Sequence, residues 1–140
     1  MGAKCVLANI TTFLLEGFHL LKLTDIAIRR DFLSYIQRIS SFYKKEICGV
    51  ISKNSLFFVK NSSPEPFQTF YIDPVKYLDI SKEKKIDFCF HSHPESCCTP
   101  SAADIELADN ALMPFLIFSC PEKRFGLYSP NSQETIYFFI

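Results

Sequence analysis

The chain has 140 residues, 48% of them hydrophobic, with 15 Phe and no Trp, so it can bury a core and its composition is not that of a disordered segment. Fifteen basic residues balance fifteen acidic ones at a formal net charge of +0, which argues against the basic surplus of a nucleic-acid-binding surface. The apolar stretch Cys5–Leu15 is broken by Glu16, is too short to span a bilayer and is followed by no small-residue cleavage site. No membrane association and a reduced, cytoplasmic compartment are therefore expected, with Cys5, Cys48, Cys89, Cys97, Cys98 and Cys120 as free thiols rather than a disulfide framework.

No internal repeat, low-complexity tract or long linker divides the chain. One domain is expected over residues 24–140, after an N-terminal extension, residues 1–23, that reads equally as an added strand or a mobile arm. From Arg29 to Tyr43 the apolar positions Phe32, Ile36, Ile39 and Tyr43 recur at helical spacing, predicting an amphipathic helix. Glu46–Ser52 reads as a strand, Lys53-Asn54-Ser55 as a turn and Leu56–Val59 as the returning strand. Asn61–Pro66 is a loop by composition, and Phe67–Ile72 reads as a further strand. Asp73-Pro74 sets a capping side chain and a helix-compatible proline at the start of a short helix to about Ile80. Ile86–His93 is a buried strand stopped by Pro94, and a loop then leads to a helix over Ser101–Asn110. Phe115–Ser119, Phe125–Tyr128 and Thr135–Ile140 are closing strands. Strands and helices interleave, which predicts an α/β fold around a mixed sheet.

Two of the only three histidines, His91 and His93, lie one residue apart on this buried strand. Alternate strand residues share a face, so both imidazoles can reach one metal ion. Ser101 suits the N-cap of the next helix and Asp104 its first turn, from which a carboxylate can return toward the end of the histidine strand. Two imidazole nitrogens and a carboxylate suit Zn²⁺ and leave one position for water. Each half also has a plainer reading. Ser-x-x-Asp alone is most often a helix cap, and His-x-His alone is more often two polar residues on one strand face. Their occurrence together, joined by a short loop, favours a metal. A hydrolytic site also needs a base, and Glu46, which opens an otherwise apolar strand, is the candidate. The competing reading of Glu46 is a solvated strand start beside Lys44 and Lys45.

With Glu46 included, the pattern resembles the JAMM, or MPN+, metalloprotease family: a strand Glu, then His-x-His, seven residues and Ser-x-x-Asp. Here these are Glu46, His91-Ser92-His93, the seven residues Pro94–Pro100, and Ser101-Ala102-Ala103-Asp104. The resemblance runs from about Ile26 to Tyr128, and Glu46–Gly49 looks like the prokaryotic branch. Asp73-Pro74 and Met113–Ser119 look like the JAMM domain of tail-assembly proteins from lambda-like phages, where an NlpC-type cell-wall peptidase domain often follows. The resemblance implies a three-layer, cytidine-deaminase-like α/β fold, a central mixed β-sheet flanked by helices. It implies one Zn²⁺ per chain on His91, His93 and Asp104, with water as the fourth ligand. Glu46 would take the proton of that water, and Ser101 would bond the oxyanion. The implied reaction is hydrolysis of a peptide or isopeptide bond, in phage tail assembly or in processing ubiquitin-like or sulfur-carrier proteins. The partner is then a protein or peptide substrate, with a β-grasp protein as one candidate. The rival class is a non-catalytic assembly module with a structural zinc, and cysteines would be its natural ligands. Cys48 and Cys89 share the strand face of the site, and Cys97 and Cys98 lie in the loop beside it; buried structural thiols and functional thiols both remain open.

Overall fold

Cys48–Ser52, Phe88–His93 and Phe115–Ser119 are buried at every position rather than at alternate ones. That is the pattern of strands covered on both faces, and it puts these three at the centre of a sheet with layers on either side. The computed structural model describes residues 17–23 and 26–140, together with the backbone course of Lys4–Leu7 and Ile10–Leu15. In chain order the elements are β1 (Lys4–Leu7), β2 (Ile10–Leu15), β3 (Phe18–Leu23), β4 (Ile26–Arg29), α1 (Arg30–Ser40), β5 (Cys48–Ser52), β6 (Ser55–Val59), α2 (Pro74–Ser81), β7 (Phe88–His93), α3 (Ala102–Ala111), β8 (Phe115–Ser119), β9 (Arg124–Ser129) and β10 (Glu134–Phe138).

Seven strands form one sheet in the order β1-β10-β9-β8-β7-β5-β6, and β2-β3-β4 form a smaller antiparallel sheet. The large sheet is mixed. The β7–β8 and β1–β10 pairs are parallel, and the other pairs antiparallel. The parallel β7–β8 pair requires a crossover, and α3 supplies it.

Each face of the large sheet has its own core. On one side, Phe32, Leu33 and Ile36 of α1 and Leu21, Leu23 and Ile28 of the small sheet meet Phe88, Phe90, Leu116, Phe118, Phe125 and Leu127. Burying each such side chain is worth roughly 1.5–3 kcal/mol, so α1 is held by its contacts more than by its 11-residue length. On the other side, Val50, Cys89, Phe115 and Tyr128 pack with Ala108 of α3, against partly buried Tyr77 and Ile80 of α2. The α/β architecture is therefore three-layered, as expected.

Several boundaries differ from the sequence reading. The buried stripe of α1 is Phe32, Leu33, Ile36 and Ser40; the helix ends at Ser40, and Tyr43 lies beyond it, exposed. Phe67–Ile72 is not a strand but a turn and irregular chain. Its apolar residues are used as cover, since Phe70 and Ile72 pack on the second core instead of pairing. The first strand of the hairpin begins at Cys48, so Glu46 precedes it. Residues 18–23, which the sequence leaves unplaced, form β3, and its Leu21 and Leu23 enter the α1-side core. Cys5 and the other side chains of residues 1–16 lie outside the described residues. Among the described residues, no helix is long and apolar enough to cross a membrane.

Candidate metal centre

His91 and His93 sit at the carboxyl end of β7, where the chain leaves for α3. In open α/β sheets this is where ligands bind. Both imidazoles share the sheet face of Cys89, the face covered by α2 and α3. His91 is fully buried, with the Phe70 ring stacked on it at 4.2 Å and the Phe115 ring edge-on at 5.9 Å. His93 is buried too, and its Nδ1 lies 2.6 Å from the Cys97 carbonyl oxygen. A carbonyl can only accept, so Nδ1 carries the hydrogen and the Nε2 lone pair is left free.

Asp104 meets them from the first turn of α3. Ser101 caps this helix: its Oγ accepts from the Asp104 amide at 3.1 Å, while Asp104 Oδ2 accepts from the Ser101 amide at 2.9 Å. This reciprocal box fixes the carboxylate rotamer. Asp104 Oδ1 then lies 3.1 Å from His91 Nε2, and Oδ2 lies 3.4 Å from His93 Nε2. The cap and the approach to the histidines are thus compatible in one side chain.

Glu46 arrives from the other direction. β5 pairs with β7 in the register Cys48↔His91, and continuing it by two residues sets Glu46 opposite His93. Its side chain is 5% exposed, which removes the alternative of a solvated strand start. Ligand atoms of Glu46, His91 and His93 lie within 4.8 Å of one another, so these three can hold a metal.

The donor set fits a small dication. Two ligands about 2.1 Å from one tetrahedral ion are roughly 3.4 Å apart. The two Asp104–histidine separations are of that size but use different carboxylate oxygens, and the ligand atoms that meet in one group are those of Glu46, His91 and His93, with Asp104 outside it. His91 Nδ1 is buried without a hydrogen-bond partner, and Nε2 meets only the Asp104 carboxylate at 3.1 Å, so Nε2 is the nitrogen placed to take a cation. Burial lowers the basicity of His91 despite the neighbouring Asp104, leaving it neutral and able to ligate. For His93, burial pulls the same way but is outweighed by Asp104 and the Cys97 carbonyl, so its pKa is raised. Burial would raise the pKa of Asp104; the charge and hydrogen bonding of the two histidines instead hold it well below the usual carboxylate range. Glu46 is pushed up to about 7, mainly by burial, with His93 opposing the shift and Asp104 adding to it. The two carboxylates, one held ionised and one poised near neutrality, are suited to different tasks.

No family model matches the chain. It is 30% identical over 95 residues to the tail tip assembly protein K of Escherichia phage N15, a match covering 65% of this chain and 39% of that protein, so the chain spans about two fifths of the relative's length. Among solved structures, protein DSY2949 of Desulfitobacterium hafniense superposes with TM-score 0.58 at 22% identity, over 79% of this chain and 88% of that one. AF2198, a JAB1/MPN domain protein of Archaeoglobus fulgidus, superposes with TM-score 0.50 at 20% identity, over 77% and 92% respectively. The fold is that of a JAB1/MPN domain.

Within this MPN-like fold, three residues that the sequence did not single out shape the site. Ser92 points away from the histidines; its backbone amide bonds the Ile47 carbonyl, but its hydroxyl, not its carbonyl, accepts from the Ile47 amide at 2.9 Å. The ladder is thereby released where Glu46 must turn into the site. Phe70 seals His91 from water. Asn61 holds Glu46: its Nδ2 donates to the carbonyls of Glu46 and Thr69, both at 2.9 Å, and its Oδ1 accepts from the amides of Ser63 and Tyr71, both at 3.0 Å. The Glu46 amide completes the clasp by donating to Pro66 at 2.7 Å. Asn61→Ala should cost about 1–3 kcal/mol by orphaning several of these groups, seen as a lower urea midpoint. The only sequence signal for Asn61 was its loop-forming type.

Among the described residues, no cysteine thiol joins the group of ligand atoms formed by Glu46, His91 and His93. Burial pushes the thiols of Cys48 and Cys89 up to about 12 and that of Cys98 to about 11, so they remain protonated. Cys97 is exposed, and its pKa is lowered by Thr99. All five described cysteines are free thiols.

Proposed function

We propose that the chain is a zinc-dependent peptidase of the JAMM type, hydrolysing a peptide or isopeptide bond during phage tail assembly. The observation that carries this is the convergence of the two Asp104 oxygens on His91 Nε2 and His93 Nε2, with the buried Glu46 carboxyl beside them. His91, His93 and Asp104 would hold the ion. Zinc bound there would supply Lewis acidity toward the scissile carbonyl and lower the pKa of a water. Glu46 takes a proton from the attacking water, whose oxygen bonds to the carbonyl carbon. The same carboxyl delivers that proton to the nitrogen as the C–N bond breaks. The Ser101 hydroxyl, anchored at the start of α3, is exposed beside Asp104 and donates to the oxyanion. The similarity to a phage tail tip assembly protein supports the setting.

The test begins with metal content. Protein purified without chelator is expected to carry close to one zinc per chain, and His91→Ala to lose it along with cleavage of a tail-derived peptide. Trace zinc in the parent protein, or full zinc in His91→Ala, would defeat the assignment. A structural zinc in a non-catalytic module would also be lost in His91→Ala, so Glu46 must discriminate that reading.

A further inference from the structure

We propose that Ser119 and Glu122, at the β8–β9 turn, are positioning residues for His93: they clamp the loop whose carbonyl sets the orientation and tautomer of its ring. The inference rests on reading His93 as a metal ligand. Its starting point is the 2.6 Å contact between His93 Nδ1 and the Cys97 carbonyl, which directs Nε2 inward. That carbonyl belongs to the Pro94–Pro100 loop, which has no ladder of its own. It is held on either side of Cys97 instead. Fully buried Ser119 donates its hydroxyl to the Ser96 carbonyl at 2.7 Å, and Glu122 Oε1 accepts from the Cys98 amide at 2.9 Å. The two clamp residues are themselves joined, since the Glu122 amide donates to Ser119 Oγ at 3.2 Å, and Arg124 steadies the other Glu122 oxygen at 3.1 Å.

The floor beneath the loop is shaped for this approach. A Cβ at Gly126 would stand 2.5 Å from the Cys98 carbonyl, so glycine lets the loop rest directly on β9. The clamp is also tied to His93 through the sheet: β7 and β8 pair in the register His93↔Ser119, and the Cys120 amide donates to the His93 carbonyl at 3.1 Å. One short segment, residues 119–122, therefore fixes His93 through its backbone and its ring together. Outer partners that orient a ligating histidine typically change metal affinity by 10–100-fold when removed.

The experiment uses the full chain stripped of metal and titrated with zinc alone against a chromophoric chelator. Glu122→Ala is expected to bind zinc about tenfold more weakly or worse. Its His93 ring ¹⁵N resonances should show a mixture of tautomers where wild type shows the Nδ1–H form. Glu122→Gln keeps an acceptor for the Cys98 amide and should restore both readings, which a merely structural effect of the lost charge would not do. Wild-type affinity together with an unchanged tautomer in Glu122→Ala would overturn the proposal. Should that variant not fold, Ser119→Ala, which removes the tie to Ser96, carries the same expectation and the same overturning result. His93→Ala separates the two levels of the argument. If it binds zinc as tightly as wild type, the metal reading is at fault; weak binding in His93→Ala with none of it in the clamp variants removes the clamp alone.

Discussion

Glu46→Gln is expected to leave fold and zinc content intact while lowering peptide cleavage by about 10²–10⁴-fold. Glutamine has the shape of glutamate and keeps an oxygen and a polar terminus in the pocket, but it cannot take a proton from water at neutral pH. Its backbone ties, to Pro66 through the amide and from Asn61 through the carbonyl, do not depend on the charge. Stability should stay close to wild type, since the substitution is isosteric and leaves these backbone bonds in place. Zinc by elemental analysis, the thermal midpoint and turnover of a peptide are the three readings required. Cleavage at the wild-type rate would remove Glu46 as the base. Loss of zinc would make it a ligand, in keeping with its closeness to both histidines.

Gly49→Ala is expected to be the most damaging small substitution for the fold, lowering stability by about 3 kcal/mol or more. β5 lies between β7 and β6, so its backbone is fixed on both edges. A Cβ at Gly49 would run into the Phe57 carbonyl oxygen and stand 2.6 Å from two atoms of the Phe90 ring. Neither neighbour can withdraw cheaply. Phe57 is paired with Val50 in the β5–β6 ladder, and Phe90 is fully buried in the α1-side core. The strain would fall three residues from Glu46, so activity per folded molecule should drop as well. A urea unfolding curve reads the first effect; a midpoint equal to wild type would show that the strands do not approach this closely.

Much of this organisation is legible in the residues because local chemistry and tertiary context agree. Phe115–Ser119 is uniformly apolar up to its last residue and forms β8 with those bounds. Asp73 and Ser101 cap α2 and α3 as their types predict, because capping is satisfied within three residues. Glu46 meets His91 and His93 because strand pairing turns a separation of 45 residues into adjacency, while Asp104 reaches both histidines from the first turn of α3. What fails to show depends on distant partners. Phe67–Ile72 has the composition of a strand, but Phe70 is taken up in stacking on His91, a demand no local pattern encodes. Asn61 bonds residues spread from Glu46 to Tyr71, so its role exists only once the loop has closed. Leu21 and Leu23 declare themselves as core only when β4 and α1 are beside them.

The carboxylate of Asp104 belongs to two structures at once, since the oxygen that accepts from the Ser101 amide is also the one nearest His93. Without any metal, α3 would still draw its cap from Ser101 and Asp104. His91 caps no helix: its Nδ1 is buried without a hydrogen bond, and its Nε2 meets only Asp104. In this chain the Ser-x-x-Asp pair thus has a purpose that outlasts the metal, whereas the purpose of His91 lies in the site itself.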